Sequence, residues 1–362
     1  MPCMTTAFLH ISRMIAMTIR SCVPALTTIA VLAGCSSDNT APATTSIETP
    51  AAYIVNGASN NVQVIDLRTM KTDETIQLNG ATFPHHVYLS PDGTRLAVAI
   101  TNTDLTGGHG GHAGHGGGNY RIQIIDSGTG VIEREIAVDG MPHNAAFSKS
   151  GTQLWFGESG DPVSKVHVYG TADWTKLGTI AVGKGLSEVT FSHDGSRVFA
   201  TNTGDASVTV IDPATLRAID TVEVGMNPVG AWPAANGSMY VDNEMSQTVM
   251  EIDVASLAIT SQIDLGYKPG YVAWNAHHGE LWVSDATAGR VVIYGKEGSG
   301  WAQVAAIATG ADAHAIGFTA GGGKALVTNQ GANTVSVVDV TSRMVISTID
   351  VGMKPNGIAI RE

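Results

Sequence analysis

A short apolar run ending in Asp or Gly recurs along this chain, and that repetition constrains the fold more than any other feature. The copies are Val62-Gln-Val-Ile-Asp66, Ile122-Gln-Ile-Ile-Asp126, Val166-His-Val-Tyr-Gly170, Val208-Thr-Val-Ile-Asp212, Val249-Met-Glu-Ile-Asp253, Val291-Val-Ile-Tyr-Gly295 and Val335-Ser-Val-Val-Asp339. Their last residues are separated by 60, 44, 42, 41, 42 and 44 positions. A turn glycine keeps the same phase at Gly93, Gly151, Gly195, Gly237, Gly279 and Gly322. A third marker runs in step: Val224-Gly-Met-Asn-Pro228, Leu265-Gly-Tyr-Lys-Pro269 and Val351-Gly-Met-Lys-Pro355. Each unit holds four alternating runs joined by turn residues, with no room for a helix. Four-stranded units of about 40–45 residues, repeated 4–8 times, describe a β-propeller. The chain enters the pattern mid-unit at Tyr53-Ile-Val-Asn56 and leaves it on Gly357-Ile-Ala-Ile-Arg361, a first strand without a sequel. Joining the two completes a seventh blade and removes an edge that would invite aggregation. The expected fold is therefore all-β. It is a seven-bladed β-propeller of four-stranded antiparallel blades over 51–362, closed by the C-terminal strand on the three N-terminal strands, and monomeric.

Composition agrees with many short strands and tight turns. Of 362 residues, 14% are charged, 6% aromatic and 43% hydrophobic, with 42 glycines. That is too apolar for disorder and too poorly charged for long solvated helices. Net charge is −12, with 20 Lys and Arg against 32 Asp and Glu. An acidic balance without a basic run argues against binding to nucleic acid or to an anionic membrane surface.

The second strand of the units ends in a recognisable tetrapeptide: Tyr240-Val-Asp-Asn243, Leu326-Val-Thr-Asn329, Phe199-Ala-Thr-Asn202 and Ala99-Ile-Thr-Asn102. These units resemble the YVTN-type (YncE-like) propeller repeat. Two units depart from it, Trp155-Phe-Gly-Glu158 and Trp282-Val-Ser-Asp285. The resemblance spans 51–362 and implies the fold. Activity is left open, because such propellers include binding proteins, surface proteins and cofactor-bearing relatives. There is also some likeness to nitrite-reductase haem propellers and seven-bladed lactonases, but no motif here selects either.

All three cysteines, Cys3, Cys22 and Cys35, precede the repeats. The apolar stretch Val23–Leu32 is too short to span a bilayer and has the length of a signal-peptide core. It ends in Leu32-Ala33-Gly34-Cys35, which resembles the bacterial lipoprotein box. That resemblance implies cleavage before Cys35 and lipidation of Cys35. Ser36 after it implies delivery to the outer membrane of a Gram-negative envelope, on the periplasmic side. The domain organisation is thus a signal segment over 1–35, a flexible Ser/Thr/Ala/Pro-rich tether over 36–50, and the propeller. Removing 1–35 takes away Arg13, Arg20 and no acid, which leaves 18 cationic against 32 anionic residues, or −14. No thiol remains to form a disulfide.

The irregular repeat carries the functional expectation. The 60-residue spacing contains an insertion over 103–119 that places His109, His112 and His115 three apart among glycines. Imidazole suits Zn, Cu(II) and Ni, and short His-rich tracts are read as metal-binding. Ordering such a loop costs about 1–2 kcal/mol per residue fixed, which suits capture or hand-over better than rigid catalysis. Counting eight residues back from the turn glycines gives His85, His143 and His314, where each unit's first strand meets the central channel. The equivalent positions elsewhere hold Ser187, Val229, Gly270 or Tyr271, and Asn356. Alternation of strand direction puts the insertion on the channel-mouth face, in the same blade as His85 and His86. The expected metal ligands are therefore His85, His86, His143 and His314, with His109, His112 and His115 as auxiliary ligands. The bland alternative is a set of polar channel histidines bonded to water and carbonyls.

Other groups read as structural. His193, His277 and His278 fall in turns, and His167 lies within a strand. Asp66, Asp126, Asp212, Asp253 and Asp339 end strands where Asp caps a turn. Glu188 adjoins Ser187 and offers a carboxylate near the mouth. There is no Gly-x-Ser-x-Gly elbow, phosphate loop or Cys-x-x-Cys-His site for covalent haem. The expected function is an exported, lipid-anchored binding protein for Zn, Cu or Ni, working as chaperone, store or accessory factor, with the metal ion or an envelope protein as partner. The alternatives are a protein-interaction scaffold with no metal role, and an oxidoreductase or lactonase-like enzyme with a channel-bound metal or cofactor.

Overall fold

A computed structural model describes residues 46–106 and 118–362. Within them lie seven four-stranded antiparallel sheets, six of which run in chain order from an innermost to an outermost strand. Blade one is the closing blade. Its innermost strand is Pro355–Arg361, followed by Ala51–Asn56, Asn61–Asp66 and Lys71–Gln77. Pairing runs from Ala51 opposite Arg361 to Asn56 opposite Pro355. The expected closure is therefore found. Blades two to seven begin on Pro84–Leu89, Ala145–Phe147, Leu186–Phe191, Pro228–Pro233, Pro269–Asn275 and Ala313–Phe318.

Burial follows from the radial order of strands. Second strands such as Gln153–Glu158, Ser238–Asn243 and Glu280–Asp285 are buried almost throughout, because neighbouring blades cover both faces. Outermost strands such as Lys71–Gln77 and Arg217–Glu223 are mainly exposed, and their charged side chains protect the free edge. Apolar clusters fill each junction between blades. Tyr53, Val55 and Val62 of blade one meet Leu96, Val98 and Ile100 of blade two. Leu326 and Val337 of blade seven meet Ile54 and Ile65 of blade one.

The repeated markers have separate physical roles. The turn glycines adopt left-handed φ values, from 65° at Gly279 and Gly322 to 87° at Gly237, which a side chain would strain. The strand-ending aspartates fold back on their own turns. Asp66 accepts from the Arg68 amide at 2.7 Å, Asp212 from that of Ala214 at 2.8 Å, and Asp339 from that of Ser342 at 2.8 Å.

The feature that positions the site is a bulge near the start of the innermost strands. Register shifts between the first and fourth residues, as between Pro84 and Val87, Leu186 and Val189, and Ala313 and Ile316. A bulge leaves residues unpaired and re-aims their side chains. The Thr of the second-strand tetrapeptide supplies the missing bonds. Thr201 Oγ1 accepts from the Glu188 amide at 2.9 Å and donates to the Val229 carbonyl at 2.7 Å. Thr328 does the same for Ala315, at 2.9 Å, and Asn356, at 3.0 Å.

One expectation changes at the N-terminal border. The last residues of the 36–50 segment are held by the propeller and are no part of a free tether. Ile47 is buried in the core between blades one and two, its amide donates to the Gly128 carbonyl at 2.7 Å, and its carbonyl accepts from Arg361 at 2.6 Å. An apolar side chain there has a site to fill, which Ser/Thr/Ala composition does not reveal.

Candidate metal centre

The entries to the innermost strands of neighbouring blades bring residues around one point, with a bulge at that of Pro84–Leu89. His85 and His86 come from Pro84–Leu89, and His143 lies two residues before Ala145–Phe147. All three are buried, at 3%, 4% and 2% exposure. Each offers a ring nitrogen within 4.8 Å of one offered by the others, which makes them a group able to hold a metal ion. The Nε2 atoms of His85 and His143 are 2.9 Å apart, in hydrogen-bond contact. The rings pack edge-on, with centroids 4.3 Å apart for His85–His143 and 4.4 Å for His85–His86.

Two polar residues stand behind these imidazoles. The Asn356 side-chain amide bonds to Nδ1 of His85. With that amide donating, the His85 proton sits on Nε2, donates to Nε2 of His143, and leaves the His143 proton on Nδ1. That nitrogen faces Glu188, whose Oε1 lies 3.8 Å away and 4.0 Å from Nδ1 of His86. A carboxylate or amide behind a ligating imidazole is the usual outer partner in metal sites, fixing tautomer and ring orientation.

Glu188 is fully buried, and burial pushes its carboxyl up to about 8, with the negative charge of Asp242 acting in the same direction. A hydrogen bond from the Tyr88 hydroxyl at 3.2 Å opposes that rise. The wall beyond is aromatic and acidic. Tyr271 stacks on His86 at 6.4 Å and lies 3.8 Å from the Trp232 ring between centroids. Trp232 donates to Asp242 at 2.6 Å, and the Gly230 amide donates to the same oxygen at 3.0 Å. Burial and the charges of Glu188 and Asp242 hold the Tyr271 hydroxyl well above the usual phenol range.

The expected ligands divide as follows. His85, His86 and His143 come together. His314 is buried beside them, its ring centroid 6.4 Å from His85 and 6.0 Å from His86, outside the three-histidine group. His109, His112 and His115 lie outside the described residues, as does Cys35. His193, His277 and His278 are exposed in turns. His167 is buried and bonds Glu158 at 2.6 Å and Thr179 at 3.2 Å, a structural role. Sequence reasoning missed Tyr88 and Asp242, and offered Tyr271 only as an alternative to Gly270 at the channel position. Asp242 occupies the Thr position of the tetrapeptide and was legible as that departure; Tyr271 needed the knowledge that a bulge exposes two consecutive residues.

The fold and its channel define a propeller with a buried polyhistidine group beside a raised carboxyl. No family model and no curated protein matches the chain. Solved structures do. A putative 6-phosphogluconolactonase from Bacteroides fragilis superposes with a TM-score of 0.69 at 14% identity, over 87% of this chain and 99% of that one. The periplasmic gluconolactonase of Pseudomonas aeruginosa gives 0.67 at 19% identity, over 86% and 99%. The dihydro-heme d1 dehydrogenase NirN gives 0.61 at 13% identity, over 88% and 76%. At these identities the likeness is one of fold.

Proposed function

We propose that this propeller binds a divalent transition metal (Zn, Cu(II) or Ni) through His85, His86 and His143, as an exported binding protein anchored through Cys35. The observation that carries the reading is the convergence of three buried ring nitrogens within 4.8 Å. Metal–imidazole bonds of about 2.0–2.1 Å put neighbouring nitrogens roughly 2.9–3.4 Å apart for bond angles of 90–109°. The 2.9 Å between His85 and His143 is within that range. The ion would take the place of their hydrogen bond. His85 then carries its proton on Nδ1, and Asn356 must turn its amide to present Oδ1. That oxygen is buried without a hydrogen-bond partner in the present arrangement.

Isothermal titration of metal-free protein with Zn, Cu(II) and Ni tests the reading. One equivalent should bind, with Kd below about 100 μM. Replacing His85, His86 and His143 together by Ala should abolish it. Absence of binding at that level, or unchanged affinity in the triple variant, overturns the proposal. The lactonase alternative is favoured by the acid–base pairing of Glu188 with two imidazoles. Turnover of a sugar lactone that depends on Glu188 would move the reading to an enzyme.

A further inference from the structure

A cavity opens beside this group, on the face where chains enter the innermost strands. It has a volume of about 320 Å³, and its lining includes Glu244, Lys268, Gly270, Asp312, His314 and Gln330. Its donors differ in exposure. Asp312 is exposed, Glu244 is 5% exposed, and His314, also 5% exposed, forms the inner end. Lys268, whose side chain is 41% exposed, pairs with Glu244 at 3.1 Å, and the Asn227 amide donates to the same oxygen at 3.1 Å. One cation against two carboxylates leaves the cavity negative. At about 30 Å³ per water, a divalent ion with six waters needs roughly 180 Å³, which this space accommodates.

His314 is the link between cavity and histidine group. It lines the former and lies 6.0–6.4 Å, ring to ring, from His86 and His85. Gly270 lines the same cavity and stands beside His314. In its blade, Gly270 takes the place that His85, His143 and His314 hold in theirs, and its φ lies outside the left-handed region that favours glycine. A Cβ there would stand 3.1 Å from Ser284 Oγ and 3.6 Å from Cδ2 of His314. Absence of a side chain thus matters for space and not for backbone conformation.

Resting on the metal-binding reading, we infer that this cavity is a loading site for hydrated divalent cations. Asp312 at the exposed mouth and then the buried Glu244 replace waters with carboxylate oxygens. His314 then supplies the first nitrogen, and the ion passes Gly270 to reach His85, His86 and His143. Harder oxygen ligands first and imidazole later lets the ion dehydrate in steps, so that no bare ion crosses the gap.

Stopped-flow mixing of the full chain with Cu(II), read by quenching of intrinsic tryptophan fluorescence and followed by an EDTA chase, tests the route. In Gly270→Val, association and dissociation should both slow by about tenfold while Kd stays within about twofold, because a route alters rates and leaves end states alone. Gly270→Ala should slow both by less, and His314→Ala should slow both with Kd similarly preserved; melting curves check that each variant folds. Unchanged association rates in Gly270→Val and His314→Ala overturn the route and leave the metal site standing. Loss of affinity at an unchanged association rate in His314→Ala makes His314 a resident ligand and also overturns it. A wild-type chain that binds none of Cu(II), Zn and Ni overturns both inferences.

Discussion

Glu188 concentrates the chemistry of the channel in one side chain. Its carboxyl is neutral near pH 7 because burial and Asp242 disfavour the anion. The native state therefore holds a proton between the ordinary carboxyl value of 4.5 and about 8 that the unfolded chain releases. Unfolding free energy must fall as pH rises through that window. At about 1.4 kcal/mol per pH unit, the loss is of the order of 3 kcal/mol after allowance for local relaxation. Glu188→Gln, which keeps the shape and removes the titration, should flatten this part of the stability profile and be the more stable protein above pH 8. Urea denaturation from pH 5 to 9 checks it, and parallel profiles for the two proteins would contradict the assignment. His85 and His143 were identifiable by counting from turn glycines, since a repeat preserves register. Glu188 was visible only as a neighbour of Ser187; its full burial and its distance to two imidazoles depend on blades distant in sequence.

At the scale of the element, the bulged innermost strand is the working part, and the tetrapeptide of the second strand fastens it. Thr201 satisfies the Glu188 amide and the Val229 carbonyl at once, tying blade four to blade five. Thr201→Val keeps the volume and deletes both bonds. It should cost about 1–3 kcal/mol, the range for leaving a buried polar group unsatisfied. Chemical denaturation gives that number, and a change below about 0.5 kcal/mol would remove the fastening role. Where Asp242 replaces the Thr, the same bond to the bulge amide is kept and a buried acid is added to the channel. The tetrapeptide could be read from the sequence as a periodic marker. Its function as a clasp could not, because the bonds it makes reach across a register shift that alternation of apolar and polar residues does not report.

For the molecule as a whole, closure of blade one joins chain ends more than 300 residues apart. Ala51–Asn56 pairs with Pro355–Arg361, and Arg361 further binds Ser127 at 2.8 Å and the Ile47 carbonyl at 2.6 Å. Removing 355–362 takes away the innermost strand of that blade, the Asn356 behind His85, and the cover of an edge. The truncated chain should lose cooperative unfolding and aggregate at micromolar concentration, as light scattering and a thermal melt would register. A soluble, cooperatively folded truncation would show that closure is dispensable.

Residue periodicity alone determined the all-β class, the seven units, the closing strand, the turn glycines and the positions from which His85, His143 and His314 meet the channel. All of these are local or repeated, so they survive in one dimension. Tertiary structure decided which histidines meet: His85, His86 and His143 form one group, and His314 stands apart beside a cavity. It also set the state of Glu188 and gave Gly270 its open space. These properties arise from distances between separate blades and from the dielectric inside the ring, which exist only once the ring is closed.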